Sequence, residues 1–383
     1  MTKNIQNNKA FKRSFWIAFA FYFLIGFEFL YMISPFAAYF YTVYQPGLEF
    51  LNDSTTLAWL SSIFLPHIVI DTRSGLLNVL ADIGMILTFG GFGIFCIGAG
   101  QVYYSKLIRK KAVTGGVYNW VRHPQYAALM ITGFGMLILW PRYITLLSYI
   151  TMLFLYYFLA RVEEKECETK FGKSYVEYKN KTTMFLPFSK HIFEKVNIFP
   201  AGGISKYLAL IAFYLFVCVM GIGIANQIRE WALTNLYTRY DDHSATIATV
   251  KVDQSKMDLI LDIAYQDQTV KQRLDLVNYQ NIKSINYIVP FDYSASEIPM
   301  HQMEEGIDHF SYKVDKNLIK YKIIFTRSIS QGTRNYQGID IITNSRDRIP
   351  LLEVYVDIKK SSVYKIEDPV KNDLLESVPL PVF

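Results

Sequence analysis

The stretch that decides the fold is VRHPQYAALMITGFGMLILWPRYITLLSYITMLFLYYFLARVEE, Val121–Glu164. It holds two uncharged runs, Pro124–Pro141 and Tyr143–Ala160, on either side of Pro141-Arg142. Each run has about the length of helix, ~17–25 residues, that crosses a ~30 Å hydrocarbon core. Proline does not continue a helix and arginine is costly in lipid, so Pro141-Arg142 reads as the tip of a tight helical hairpin. Arg122 and His123 precede the hairpin, and Arg161, Glu163 and Glu164 follow it. A hairpin returns to the side it started from, so both polar ends share one face of the bilayer.

Three further runs flank the hairpin. Ser14–Tyr44 carries Glu28 as its only charge, Ile83–Ser105 carries none, and Tyr207–Ile228 is the last long apolar run. With the two arms of the hairpin they make about five transmembrane helices. Leu57–Ile70 is shorter and contains Pro66 and His67, and it reads as an interfacial or re-entrant segment. The positive-inside rule agrees with that reading. Lys3, Lys9, Lys12 and Arg13 lie before the first span, and Lys106, Arg109, Lys110, Lys111 and Arg122 after the second. Both basic loops are cytoplasmic only if Leu57–Ile70 does not cross. The hairpin then returns the Lys-rich segment Arg161–Lys206 to the cytoplasm, and the fifth span exports the rest. The N-terminal run is too long for a removable signal peptide and lacks a small-residue cleavage site.

Charge divides the 383-residue chain in the same way. Arg229–Phe383 holds 19 Lys and Arg against 22 Asp and Glu, a net of −3; of the whole chain's 39 and 33 this leaves 20 and 11, a net of +9, for residues 1–228. The hydrophobic fraction of 51% and the aromatic fraction of 16% exclude a disordered or nucleic-acid-tail protein. Cys96, Cys167 and Cys218 are far apart and form no CxxC, which argues against a disulfide framework or a zinc ribbon. The predicted fold class is an α-helical integral membrane part plus a C-terminal β-rich soluble domain. Its boundaries are 1–203 for the membrane-embedded part, 204–228 for the final transmembrane helix and 229–383 for the exported domain.

In the exported part, Met257–Tyr265, Ile319–Phe325 and Leu352–Ile358 alternate apolar with polar residues, and this period of two predicts half-buried strands. His301 and His309 show no metal-ligand spacing and read as surface histidines, so no metal site is predicted.

The chemistry concentrates between Thr114 and Pro187. Gly115-Gly116 allows turns or close approaches that a side chain would block. Pro124 holds His123 extended at the mouth of a membrane helix. Arg122, His123 and Tyr126 therefore stand where Glu163 and Glu164 return. Gly172 suits a helix stop, and Tyr175 and Tyr178, three apart, share one face of the next helix. A cytoplasm-facing pocket with carboxylates and aromatic walls beside lipid suits a cationic or zwitterionic ligand.

These residues carry a resemblance. Gly116, Tyr118, Arg122-His123-Pro124, Tyr126, then the hairpin, then Glu163-Glu164, Phe171-Gly172, Tyr175, Tyr178 and Pro187 resemble the catalytic signature of the isoprenylcysteine carboxyl methyltransferase and phospholipid methyltransferase family. The resemblance implies a membrane methyltransferase within residues 1–203, signature 114–187, using S-adenosyl-L-methionine. It implies cofactor binding by Tyr118, His123, Pro124, Tyr126, Glu163, Glu164, Tyr175 and Tyr178. By the same carry-over Arg122 orients the acceptor, and His123 or Glu164 helps if an amine must lose a proton. A membrane lipid or lipidated acceptor completes that expectation, while the basic N-terminal arm and compact loops point to a bacterial inner membrane. The family pattern does not account for residues 229–383, for which binding an envelope partner, sensing a signal and positioning a partner stand as alternatives. Ala127-Ala128 departs from the family pattern, where a small residue and Gly are frequent. Two alternatives stand beside it: an NADPH-dependent reductase of the sterol reductase type, and a sensor or binding protein whose C-terminal domain is the working part.

Overall fold

The computed structural model describes residues 56–105, 115–187, 203–301, 318–330, 336–368 and 380–383, with 30, 32–39, 51, 54, 307, 308, 312, 315 and 370. Most of the first sequence-read span, Ser14–Tyr44, lies outside the described residues; positions 30 and 32–39 are helical. Among the described residues five helices follow in the membrane part: α1 (Gly75–Tyr104), α2 (Pro124–Leu139), α3 (Tyr143–Phe171), the short α4 (Lys173–Lys181) and α5 (Ile204–Thr234). Helices α1, α3 and α5 are long and apolar enough to cross a membrane, and α2 is a shorter apolar helix. Helix α3 has 29 residues, about 44 Å at 1.5 Å per residue, so it outruns the hydrocarbon core. Glu163 and Glu164 sit twenty residues and more beyond its start, about 30 Å along.

Glycines let α1 and α2 approach each other closely. A Cβ at Gly91 would stand 2.6 Å from the Thr132 hydroxyl and 2.9 Å from the Ala128 carbonyl. One at Gly135 would stand 2.5 Å from the backbone nitrogen of Thr88. Small residues at the contact are how membrane helices gain packing without a hydrophobic drive between them. Ala127-Ala128 is accommodated here, with Ala128 buried against the glycine side of α1.

The chain forms two compact units, one from residues 1–41, 90–133 and 151–198, the other from 42–89, 134–150 and 199–383. Helices α1, α2 and α3 contribute residues to both. The second unit contains Leu57–Ile70, which forms no long helix: one 3-10 turn, Ala58–Ser61, is followed by irregular chain. Its apolar residues Ile63, Phe64 and Ile68 are buried. Phe64 donates its N–H to Pro141 O (2.9 Å), and Arg142, 2% exposed, donates to Ser61 O (2.8 Å). The segment also bonds the C-terminal region, Ile70 N–H to Thr249 O at 2.8 Å and the Tyr293 hydroxyl to Ile68 O at 2.6 Å.

The C-terminal region is built on a six-stranded sheet. Its strands are β1 (Tyr237–Tyr240), β2 (Ser244–Ala248), β3 (Ser284–Pro290), β6 (Lys320–Ser330), β7 (Ser345–Asp357) and β8 (Ser362–Glu367), in that spatial order. Strands β2 and β3 are parallel; the other neighbours are antiparallel. Short strands β4 (Tyr293–Ser294) and β5 (Ile307–Asp308) pair separately. Helices α6 (Gln254–Gln266) and α7 (Gln268–Leu276) make the crossover from β2 to β3, and α8 (Ile339–Asn344) precedes β7. Two of the three sequence-read strands are strands, in β6 and β7. The third, Met257–Tyr265, is helix α6 and is a correction. Met257, Ile260, Leu261 and Ala264 are buried at helical spacing, while Leu259 is exposed. Asp258 and Asp262, four apart, share the outer face of a helix as easily as they alternate in a strand. Asp253 decides between the two, since its carboxylate accepts the Lys256 N–H as an N-cap at 2.8 Å.

Candidate functional site

The first unit gathers the sequence-read residues around the start of α2 and the end of α3. Gly116 has φ +66°, a left-handed conformation that disfavours side chains, and a Cβ there would stand 2.6 Å from the Gln101 amide. The turn it opens, Gly116–Asn119, buries Tyr118 to 6% exposure. The Tyr118 carbonyl accepts the Tyr178 hydroxyl at 2.7 Å, tying the turn to α4. Burial first, then the neighbouring Tyr178 and Glu163, push the Tyr118 hydroxyl's pKa up. Burial also pushes Tyr178 up to about 12. Both are held as neutral phenols at physiological pH.

The chain then runs extended beside 182–184. Arg122 N–H donates to Thr183 O (2.8 Å) and His123 N–H to Met184 O (3.1 Å), with a parallel bridge between Val121 and Thr183. The closing stretch near Pro187 thus forms a floor for Arg122-His123-Pro124. Pro124 is the first residue of α2, where its missing N–H leaves no helical bond unmade.

The two adjacent glutamates part company. Helix geometry turns successive residues about 100° apart, so Glu163 and Glu164 face different partners. Glu164 is locked: its side chain is 2% exposed, Arg122 Nε donates to it at 2.7 Å, and Lys179 Nζ lies 2.9 Å away. Arg122 also donates to Lys179 O (2.9 Å) and to Thr182 O. Its guanidinium fork therefore joins α3, α4 and the closing stretch. Lys179 reaches Glu168 as well, at 2.7 Å. Burial lowers the pKa of Lys179, but Glu168 and Glu164 outweigh it and raise the net value.

Glu163 is 40% exposed at its side chain and accepts the Tyr126 hydroxyl. His123 stands between the glutamates, with Nδ1 3.4 Å from Glu163 and Nε2 3.6 Å from Glu164. Burial pulls its pKa down, and the hydrogen bonds and charges of the two glutamates overcome that and leave it raised. Its ring stacks on Tyr126 with centroids 5.6 Å apart, and Tyr126 stacks on Tyr156 at 4.8 Å. Tyr175 is buried 5.8 Å from Tyr178, ring to ring. Arg122 and Lys179 are spent on Glu164 and Glu168, which leaves His123 and the Tyr126 hydroxyl as the partners of Glu163.

All the sequence-read site residues therefore meet in one cluster. Sequence reading missed Lys179, Thr182 and Gln101. Lys179 follows Tyr178 directly, but it reaches Glu164 only because Gly172, at φ +55°, breaks the helix and lets α4 return. Gln101 lies in α1, with only Gly116's need for a glycine to point at it.

Comparisons with known proteins fall on the same segment. Residues 76–174 match the family model for phospholipid methyltransferase. The membrane segment resembles that family. Two relatives are protein-S-isoprenylcysteine O-methyltransferases. The Xenopus laevis protein is 38% identical over 82 residues, 21% of this chain and 28% of the relative. The Saccharomyces cerevisiae protein is 36% identical over 77 residues, 20% of this chain and 32% of the relative. The chain thus spans about a third or less of the curated relatives it matches. No solved structure matches it.

Proposed function

We propose that the chain is an integral-membrane S-adenosylmethionine-dependent methyltransferase that acts at the cytoplasmic face on a lipidic or lipid-attached carboxylate or amine. The observation that carries this reading is the unequal glutamate pair, within the segment that matches the phospholipid methyltransferase model. Glu164 is spent on Arg122 and Lys179, and Glu163 stays half exposed beside His123.

The donor set fits S-adenosylmethionine. Its ammonium suits Glu163, and its sulfonium and adenine suit the aromatic faces of the His123–Tyr126–Tyr156 stack. The Tyr118 hydroxyl and the Gln101 carbonyl oxygen are buried with no hydrogen-bond partner among the described residues, which supports a ligand as their partner. When bound, the molecule supplies a methyl group already activated on a sulfonium.

The residues then divide by task. Glu163 binds the amino group, and Tyr118, Tyr126, Tyr175 and Tyr178 wall the site and exclude water. Arg122 and Glu164 are positioning residues, holding His123-Pro124 against α3 and α4. Rate acceleration comes mainly from proximity and alignment in a dry site. An ionised carboxylate acceptor needs no base. With an amine acceptor, neutral His123 takes the proton, because its ring lies between two carboxylates that stabilise the imidazolium. The site's place at the end of an apolar hairpin supports a lipidic acceptor. The relatives' printed names, which specify O-methylation of an isoprenylcysteine, favour an oxygen acceptor. The basic loops support a site on the cytoplasmic side and a C-terminal region outside.

The test is equilibrium binding by calorimetry on the detergent-purified full chain. S-adenosylmethionine is expected to bind at a single site, Glu163→Gln to weaken it at least tenfold, and NADPH not to bind. Binding indifferent to Glu163→Gln, or NADPH binding the more tightly, would overturn the reading.

A further inference from the structure

Away from that site, the C-terminal sheet opposes two like charges. Glu353 on β7 and Glu367 on β8 are directly paired across the strands. Like charges in that position repel unless something cationic lies between them. Glu353 is fully buried, where an uncompensated carboxylate is most costly. His301, from the segment after β4, closes over the pair. Its Nδ1 lies 3.1 Å from Glu353 Oε1 and 3.9 Å from Glu367 Oε2.

We propose that His301, Glu353 and Glu367 form a divalent-cation site that takes zinc, with one imidazole and two carboxylate ligands and an open position toward solvent. One ligand atom from each residue lies within 4.8 Å of the other two. Zinc bonds of about 2.0–2.2 Å at tetrahedral angles place neighbouring donors about 3.3–3.6 Å apart, and the two observed separations bracket that range. A single borderline nitrogen with two carboxylate oxygens suits zinc better than calcium, which takes six to eight oxygens.

The atoms around the three residues are arranged as an outer layer. Glu367 Oε2 is buried with no hydrogen-bond partner among the described residues, while its other oxygen is held by Lys365 at 2.7 Å. The Tyr355 hydroxyl lies 3.4 Å from Glu353 Oε2. His301 is fixed at both backbone atoms, its N–H donating to Glu353 Oε1 at 2.7 Å and its carbonyl accepting from Lys322 Nζ at 3.3 Å. Such contacts orient ligands, and Glu353 Oε1 would share its lone pairs between the His301 N–H and an ion. Lys365 is engaged by Glu367 Oε1, and the buried Lys322, within electrostatic reach of both carboxylates, donates to the His301 carbonyl. The His301 side chain is 38% exposed, which gives an ion a way in. The spacing 301, 353 and 367 matches no sequence motif, because the sheet register brings the residues together.

The experiment is a zinc titration of the full chain, purified in detergent and stripped with a chelator. The probe is zinc chloride alone, read by calorimetry and by the shift in melting temperature. Wild type is expected to bind one zinc per chain in the micromolar range or tighter and to melt higher when loaded. His301→Ala and Glu367→Gln, both at partly exposed positions, are each expected to weaken binding at least tenfold, with methyl transfer unchanged. Absence of saturable one-to-one binding below millimolar zinc, or binding that neither variant alters, would overturn the site. The second result would assign the zinc to other histidines of the chain.

Discussion

At the scale of single residues, the cluster at the mouth of the hairpin separates holding from binding. Arg122 satisfies one carboxylate and two backbone carbonyls at once. Removing one partner of such a buried pair leaves the other charge uncompensated, at a cost of about 3–5 kcal/mol. Arg122→Ala and Glu164→Gln are therefore expected to lower the melting temperature sharply. Arg122→Lys is expected to recover little, because an ammonium lacks the fork. Glu163→Gln is expected to melt near wild type, and thermal unfolding of the three variants side by side checks the division. The histidine adds a pH dependence. His123's pKa is lowered by burial but raised more strongly by Glu163 and Glu164, so the folded state holds the proton better than the unfolded chain. Its contribution to stability is thus complete below the unfolded value of about 6.5 and is lost as pH rises through the elevated folded value. Melting temperature measured upward from about pH 6.5 is expected to fall in wild type and to stay flatter in His123→Gln. The sequence made these residues legible as a set but left their tasks unsplit. Nothing in Glu163-Glu164 tells which carboxylate faces Lys179, since that depends on where α4 turns back.

At the scale of elements, the membrane helices were legible and one helix of the C-terminal region was not. Long uncharged runs have few alternatives in lipid, since every backbone polar group must be satisfied within the segment. Their ends were less legible: α3 continues past Ala160 to Phe171 because charged residues continue a helix in water as well as apolar ones do in lipid. In α6, an apolar residue at both Ile260 and Ala264 let two periodicities coexist, and the Asp253 cap carried the information that resolves them. This yields a paired comparison of neighbours. Ile260→Ala removes a buried side chain and is expected to cost about 2–5 kcal/mol. Leu259→Ala, at an exposed position, is expected to stay within about 0.5 kcal/mol of wild type. Denaturant unfolding that gave the reverse order would restore the strand register.

At the scale of the whole molecule, the charge division of the sequence, +9 before Arg229 and −3 after it, anticipated a membrane part and a water-facing part. It did not anticipate that Leu57–Ile70 belongs with the C-terminal region. That segment spends its hydrogen bonds on Pro141, Thr249 and Tyr293, partners far away in sequence. The matched signature covers residues 76–174, and the account makes methyl transfer by that segment the work of the chain. The most direct measurement supplies radiolabelled methyl S-adenosylmethionine to membranes containing the full chain, separates lipids from proteins, and counts each fraction. The account predicts label in a lipid or lipid-attached acceptor that rises with the amount of wild-type chain and falls at least tenfold with Glu163→Gln. Label at background in every fraction, or equal label from wild type and Glu163→Gln, would contradict it.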